Sequence, residues 1–367
     1  MQITRLDIAR LRRFDAISLA PGPGLNLLVG DNGAGKTSVL EAIHLLGYGR
    51  SFRGRVRDGL VQQGAEALEV FAEWREGAGR LRRAGLRHAG QDWEGRLDGE
   101  RVAQLGDLCA ALAVVTFEPG SHVLVTGGSE PRRRLLDWGL FHVEPGFLRL
   151  WRRYARALKQ RNALLKAGSG DHQLDAWDQE LADAGDPLTR HRHEYLERLA
   201  PRLREDSADL LPAGGLARLD FLPGWRQEEV SLADALLLAR ARDRAVGHTT
   251  VGPHRADWRI VHAGIPGREA LSRGQAKLTA LSLLLAQAGL HAELRQDWPV
   301  VLLDDLASEL DRGHQQRVLA RLLTSGAQVF ITGTEIPSAL VGLDAPARLF
   351  HVEQGAIKAE ADARGPA

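Results

Sequence analysis

Residues 30 to 37 read Gly-Asp-Asn-Gly-Ala-Gly-Lys-Thr, the phosphate-loop pattern G-x-x-x-x-G-K-[ST], directly after the apolar run Leu25-Asn26-Leu27-Leu28-Val29. The run predicts a buried strand, and Thr37 to Leu46 has helical character, so the loop should join a strand to a helix N-terminus whose dipole favours anions. Gly30, Gly33 and Gly35 permit tight curvature and close approach to a phosphate; Asp31, Asn32 and Ala34 complete a loop of inward-pointing N–H groups. Lys36 would bridge the β- and γ-phosphates and Thr37 would bind Mg²⁺.

At 367 residues the chain can hold two domains, or one large domain with an insertion. The single cysteine, Cys109, rules out an internal disulfide and suits a reducing cytosol. The first residues, Met1-Gln2-Ile3-Thr4-Arg5-Leu6-Asp7-Ile8, carry charges where a signal peptide needs an unbroken apolar core. Leu278 to Leu290, about 13 residues, is too short for a membrane span. A soluble, cytoplasmic protein with no membrane partner is the expectation.

The first 118 residues are strand-rich, with Ile3 to Ile8, Leu25 to Val29, Leu68 to Trp74, Leu81 to Arg87 and Ala113 to Phe117 bounded by turns. From about Glu130 to Ala245 apolar residues recur at threes and fours, predicting a helical insertion over 119–248 inside an α/β domain formed by 1–118 and 249–367. Gly168-Ser169-Gly170, Asp186-Pro187, Ala200-Pro201 and Pro212-Ala213-Gly214-Gly215 should cut the insertion into helices of ordinary length, and Ala359 to Ala367 should fray. No heptad run, internal repeat or low-complexity segment stands out.

Net charge is +1, but its distribution is uneven. Pro131 to Lys166 carries ten basic against two acidic residues, and Ala167 to Leu211 eleven acidic against five basic. Arg149, Arg152, Arg153 and Arg156 share a helical face opposite Leu148, Trp151, Ala155 and Leu158. Such a face either meets phosphates or is simply solvated.

The C-terminal third supplies a second half to the loop. Pro299-Val300-Val301-Leu302-Leu303-Asp304-Asp305 is an apolar strand ending in two carboxylates, which sets Asp304 against a metal held by Thr37 and leaves Asp305 to polarise water; a helix N-cap is the alternative. Leu271-Ser272-Arg273-Gly274-Gln275 opens another helix, with Lys277 beside it, as an anion site or an ordinary cap. Ser308-Glu309-Leu310-Asp311 follows.

With these motifs in place, the chain resembles the ABC-type ATPase heads of SMC proteins and their relatives, and most closely the RecF family. Gly47-Tyr48-Gly49-Arg50-Ser51-Phe52-Arg53, Pro131-Arg132-Arg133-Arg134 with Leu136-Asp137, Gly252-Pro253-His254-Arg255 and Leu302-Leu303-Asp304-Asp305 carry the resemblance from end to end. It departs at Thr116-Phe117-Glu118-Pro119-Gly120-Ser121, where a Q-loop would lie without a glutamine, and at Asp305, where Glu is usual.

The resemblance implies a P-loop head with a helical arm and a weak, DNA-stimulated ATPase in which Lys36, Asp304 and Asp305 act. It implies an ATP-dependent homodimer in which Ser272, Gly274 and Gln275 of one chain face the other's nucleotide. It also implies binding to single-stranded, double-stranded and gapped DNA, and action with RecO and RecR to load RecA. Thr332 and Thr334 occupy the γ-phosphate sensor position, and His254 and Arg255 either approach the nucleotide or shape a turn. An SMC-like structural head and a transporter-type nucleotide-binding subunit share these ATP motifs. A fused nuclease would need a further carboxylate cluster that the sequence does not display.

Overall fold

The computed structural model describes residues 1–54, 59–211, 215–264, 267, 270–340 and 346–360. The expected turn at 212–214 and the tail at 361–367 lie outside the described residues. Two compact units form, Met1–Ser121 with His291–Ala367, and His122–Leu290.

The first unit begins with strands β1 (Gln2–Leu11), β2 (Phe14–Leu19) and β3 (Leu25–Val29), then helix α1 (Lys36–Tyr48). Strands β4 (Ala67–Arg75), β5 (Leu81–Ala89), β6 (Asp92–Leu97) and β7 (Glu100–Arg101) follow, then α2 (Leu105–Cys109) and β8 (Val114–Phe117). The second unit contains α3 (Val123–Thr126), α4 (Ser129–Val143), α5 (Phe147–Lys166), α6 (Asp171–Leu210), β9 (Leu216–Leu222), α7 (Leu232–Val246) and β10 (Asp257–His262). After α8 (Arg273–Arg295), the first unit resumes with β11 (Val300–Leu303), α9 (Leu306–Glu309), α10 (Arg312–Ser325), β12 (Val329–Gly333), β13 (Ala347–Glu353) and β14 (Ala356–Glu360).

Among the described residues the first unit holds two six-stranded sheets. One, ordered β2-β1-β4-β5-β6-β7, is antiparallel and alternates buried and outward residues, as a sheet covered on one face must. The other runs β14-β13-β3-β12-β11-β8, parallel except for the edge strand β14. Its central strands Leu25–Val29, Val300–Leu303 and Val329–Gly333 are buried throughout, as their continuous apolar runs require. Helix α1 is buried from Ser38 to Gly47, and its Val39, Ile43 and Leu46 share one core with Ile8, Val70 and Trp74 of the first sheet and Leu302, Phe330 and Phe350 of the second. Gln328 ties the sheets together, accepting from Ile3 N at 2.7 Å and donating to Ile3 O at 2.8 Å.

Several expectations need correction. The second change of unit falls after Leu290 rather than at 248, because β10 pairs with β9 and Arg132 on α4 holds Asp257 at its start, so 249–290 folds with the arm. Pro187 and Pro201 do not end helices: α6 runs 40 residues through both. Each proline costs about 3 kcal/mol in a helix interior. Packing of α6 along α4, α5, α7 and β9 outweighs that cost, with Leu174, Leu181, Leu188 and Tyr195 buried at seven-residue spacing. Ala359 and Glu360 lie in β14 rather than in a frayed end. Among the described residues, no helix is long and apolar enough to cross a membrane.

Candidate functional site

Parallel strands β3, β12 and β11 deliver their C-terminal ends to one rim of the second sheet, the usual ligand edge of parallel sheets. The register sets Leu303 against Ile331 and Thr332 against Leu28, so the loop after Val29, the carboxylates after Leu303 and the Thr332 hydroxyl converge. A cavity of about 880 Å³ opens there, lined by Asn32, Gly33, Gly35, Lys36, Thr37, Asp304, Asp305 and Thr332.

Asp304 is buried at its centre. Its Oδ1 accepts from Thr37 Oγ1 at 2.8 Å and from Thr332 Oγ1 at 2.7 Å, while Thr332 Oγ1 accepts from Asp305 N at 2.8 Å. Burial raises the Asp304 pKa above the ordinary carboxylate range, outweighing these two donors, and the neighbouring Asp305 charge pushes the same way. Asp305 stands at the N-cap of α9 with φ 54°, but its side chain makes no cap hydrogen bond, so its carboxylate belongs to the cavity rather than to the helix.

The loop is shaped around its glycines. A Cβ on Gly30 would collide with the Val352 carbonyl, and one on Gly35, at φ 120°, would stand 2.8 Å from Phe14 Cζ. Lys36 Nζ donates to Gly30 O at 2.6 Å and Asp31 O at 2.9 Å, and Ala34 N donates to Asp31 O at 3.1 Å. Burial lowers the Lys36 pKa, against the nearby charges of Asp305, Asp304 and Asp31.

Three arginines that motif reading passed over complete the wall: Arg12, Arg13 and Arg53. Arg13 Nη1 donates to Gly33 O at 3.0 Å. Arg12 grips the fully buried Glu41 through Nε at 3.0 Å and Nη2 at 2.8 Å, and Ser51 Oγ also donates to Glu41. Arg53, whose charge lowers the Asp304 pKa, lies within the quoted segment 47–53. Arg12 and Arg13 form the turn between β1 and β2, a place with no motif to mark it.

Other expected residues are placed less simply. Thr334 is exposed, whereas Thr332 is buried in the site. In the Q-loop position Pro119 reaches the cavity, and the Glu118 carboxylate accepts from Gly120 N at 2.6 Å.

In the second unit, Ser272 and Gln275 form a reciprocal capping box on α8: Gln275 N donates to Ser272 Oγ at 3.2 Å and Ser272 N to Gln275 Oε1 at 2.9 Å. Ser272 and Gly274 are exposed, and a Cβ on Gly274 would meet only Ser272 Oγ at 4.0 Å. Among the described residues, nothing in the chain's own packing demands glycine there. His254 donates from Nε2 to Thr249 O at 3.0 Å and shares a bond between Nδ1 and Tyr154 OH at 2.7 Å, and burial pushes its pKa down to about 4. Those bonds make it a turn residue. Arg255 donates to the same carbonyl at 3.4 Å. The arginine-rich motif is structural too: Arg132 pairs with Asp257 and Arg133 donates to Ala256 O at 2.7 Å. Arg192 bridges Asp137 to Pro253 O.

On α5 the buried stripe is Phe147, Tyr154, Ala157, Arg161 and Leu165, rotated from the expected one: Trp151 is 41% exposed, and Leu148, Ala155 and Leu158 are half-buried. Arg149, Arg153 and Arg156 point outward, and Arg152 is half-buried. Arg153 is bidentate to Glu180 at 2.7 and 2.6 Å, and the fully buried Arg161 is paired with Asp178 and Asp243, so the local positive excess is partly spent within the arm.

The RecF/RecN/SMC N terminal domain family matches residues 2–358. A protein described as DNA replication and repair protein RecF from Stenotrophomonas maltophilia (strain R551-3) is 67% identical over 363 residues, covering 98% of this chain and 100% of the relative. The chain belongs to the RecF family. A solved structure of the recombination mediator protein RecF-ATP in the RecFOR pathway superposes with a TM-score of 0.88 at 27% identity, covering 98% of each chain. The Smc head domain from Pyrococcus furiosus shares the fold, with a TM-score of 0.60 at 16% identity over 98% of this chain and 96% of that one. The chain therefore has the ABC-type ATPase head fold with a helical insertion that sets RecF proteins beside SMC heads.

Proposed function

We propose that the chain is a cytoplasmic ATP-driven switch that binds DNA at single-strand gaps in recombinational repair, acting with RecO and RecR to load RecA. The observation that carries the nucleotide reading is the convergence of Thr37 and Thr332 on one carboxylate oxygen of Asp304 beside a glycine-shaped loop. The walls suit a polyphosphate with its metal, since Lys36, Arg13 and Arg53 bring positive charge to a cavity that also holds the Asp304 and Asp305 carboxylates. In that site Lys36 and the N–H groups of Gly30 to Thr37 hold phosphate oxygens, and Thr37 and Asp304 hold Mg²⁺, which supplies charge neutralisation for phosphoryl transfer when bound. Asp305 orients the attacking water. Its reach is shorter than that of Glu, which supports slow hydrolysis.

Pairing of two chains follows from Ser272 and Gly274. Their exposure on α8, with no packing reason for glycine among the described residues, supports contact with a nucleotide on a second copy. Nucleotide state then controls grip on DNA, with Arg149 and Arg156 on α5 as the outward phosphate contacts. Sedimentation of the full chain with ATP tests the pairing. Lys36→Arg and Ser272→Arg should each abolish the ATP-dependent dimer, and undiminished dimerisation by both would overturn it.

A further inference from the structure

The outer face of the antiparallel sheet carries a pattern that neither nucleotide binding nor pairing uses. Cross-strand register places Asp7, Phe71, Gly85, Arg96 and Arg101 in one row across β1, β4, β5, β6 and β7. Their neighbours on alternate positions, Leu6, Ala72 and Ala84, are buried, so this row faces outward. Arg83, two residues from Gly85 on the same face, is exposed, as are Arg96 and Arg101.

Three features of this row go against ordinary sheet design. Arg96 stands directly opposite Arg101, a like-charge pair that weakens a sheet. Among the described residues, Arg83, Arg96 and Arg101 make no ion pair, although Glu73 stands opposite Arg83 in the register, Arg87 beside them reaches Glu69 at 3.7 Å and Arg82 reaches Asp98 at 2.7 Å. Gly85 interrupts a strand where a side chain would fit freely, since an added Cβ would meet nothing within 4 Å among the described residues. The gap it leaves lies between Phe71 and Arg96, and the Arg5 guanidinium stands 5.7 Å from the Phe71 ring centroid.

We infer that this face is a platform for single-stranded nucleic acid, with a base stacked on Phe71 above Gly85 and phosphates on Arg83, Arg96 and Arg101. Aromatic surface, an open glycine and unpaired arginines on an exposed sheet are what an unstacked base and its backbone require. A duplex hides its base faces and would gain only the charge contacts. The assignment rests on the DNA-binding reading above and adds a strand-selective surface in the first unit.

Fluorescence anisotropy of the full chain with ATP, using labelled oligo-dT and a duplex of equal length, tests it. Gly85→Val, which suits a strand and fills the gap, and Phe71→Ala should weaken oligo-dT binding about tenfold each and leave duplex binding unchanged. Arg96→Glu should weaken oligo-dT binding and reduce the salt slope by about 0.7. An unchanged unfolding midpoint and ATP hydrolysis rate identify variants that fold; Arg96→Glu, wholly at the surface, decides if the others do not. Parental oligo-dT affinity in Gly85→Val and Arg96→Glu would overturn the platform while leaving DNA binding intact, and equal losses for duplex would overturn its strand selectivity. A parent protein that binds neither DNA overturns the DNA-binding reading and the platform with it.

Discussion

Thr37 and Asp304 lie 267 positions apart, yet Thr37 Oγ1 donates to Asp304 Oδ1 at 2.8 Å, and Thr332 donates to the same oxygen. Strand β11 presents the carboxylate at the level where α1 begins, and the parallel register leaves no freedom to shift it. Both bonds fall on one oxygen, so Asp304 is oriented by its neighbours before any ligand arrives.

Asp304→Asn separates charge from geometry. The amide oxygen can still accept from both threonines, so the unfolding midpoint should stay near that of the parent. Loss of the negative charge should lower ATP hydrolysis roughly 100-fold or more, measured as steady-state phosphate release. A parental rate would remove Asp304 from the nucleotide site.

Gly274→Ala probes the helix end that the fold itself does not constrain. Alanine fits the helical backbone and meets no close atom among the described residues, so thermal stability should hold or rise by up to about 1 kcal/mol. Sedimentation should nevertheless show weaker ATP-dependent pairing. A variant that pairs as the parent does would mean the space above Gly274 has no use.

The α5 arginines should not behave alike. Charge reversal at Arg149 and Arg156, which point outward, should weaken gapped-DNA binding and lower the magnitude of the salt slope by about one for each phosphate no longer neutralised. Arg153, held by Glu180 and 3.7 Å from Asp183, should contribute less. The comparison is a salt series on each single variant, and equal effects at all three positions would contradict it.

His44 gives the stability a pH dependence. It accepts or donates a bond with Thr116 Oγ1 at 2.8 Å and stacks on Tyr48, and burial, aided by the Arg50 charge, pushes its pKa down to about 3. The unfolded chain binds this proton near pH 6.5, as an ordinary histidine does. Between the two values the unfolded state holds more protons, so stability is full above about 6.5 and falls as pH drops toward 3. Urea midpoints for His44→Gln should flatten between about pH 7 and 4.5 relative to the parent, and parallel curves would show that another group controls the loss.

Local chemistry made much of this legible. The phosphate loop, the buried strands Leu25–Val29 and Val300–Leu303 and the capped start of α8 announce themselves because glycine conformation, apolar runs and caps act within a few residues. The passage of α6 through Pro187 and Pro201 was not legible, since only burial against four other elements offsets the broken backbone bonds. Nor were Arg12 and Arg13, whose side chains reach the cavity from a turn with no signature of its own, or the place of Arg53, whose segment carries the family resemblance without pointing to the cavity.

The sequence by itself determined the chemical inventory: a glycine-shaped anion loop, paired carboxylates after an apolar strand, a serine-capped helix and a charged arm. Tertiary structure alone decided which of these meet. Parallel register joined Thr37, Asp304 and Thr332, while ion pairing with Glu180 turned Arg153 from a candidate DNA contact into a strut of the arm, alongside the paired Arg132 and Arg161. The physical reason is range. Propensity and periodicity act along a few residues of chain, whereas hydrogen bonds and charge pairs act between whatever surfaces packing brings within about 3 Å.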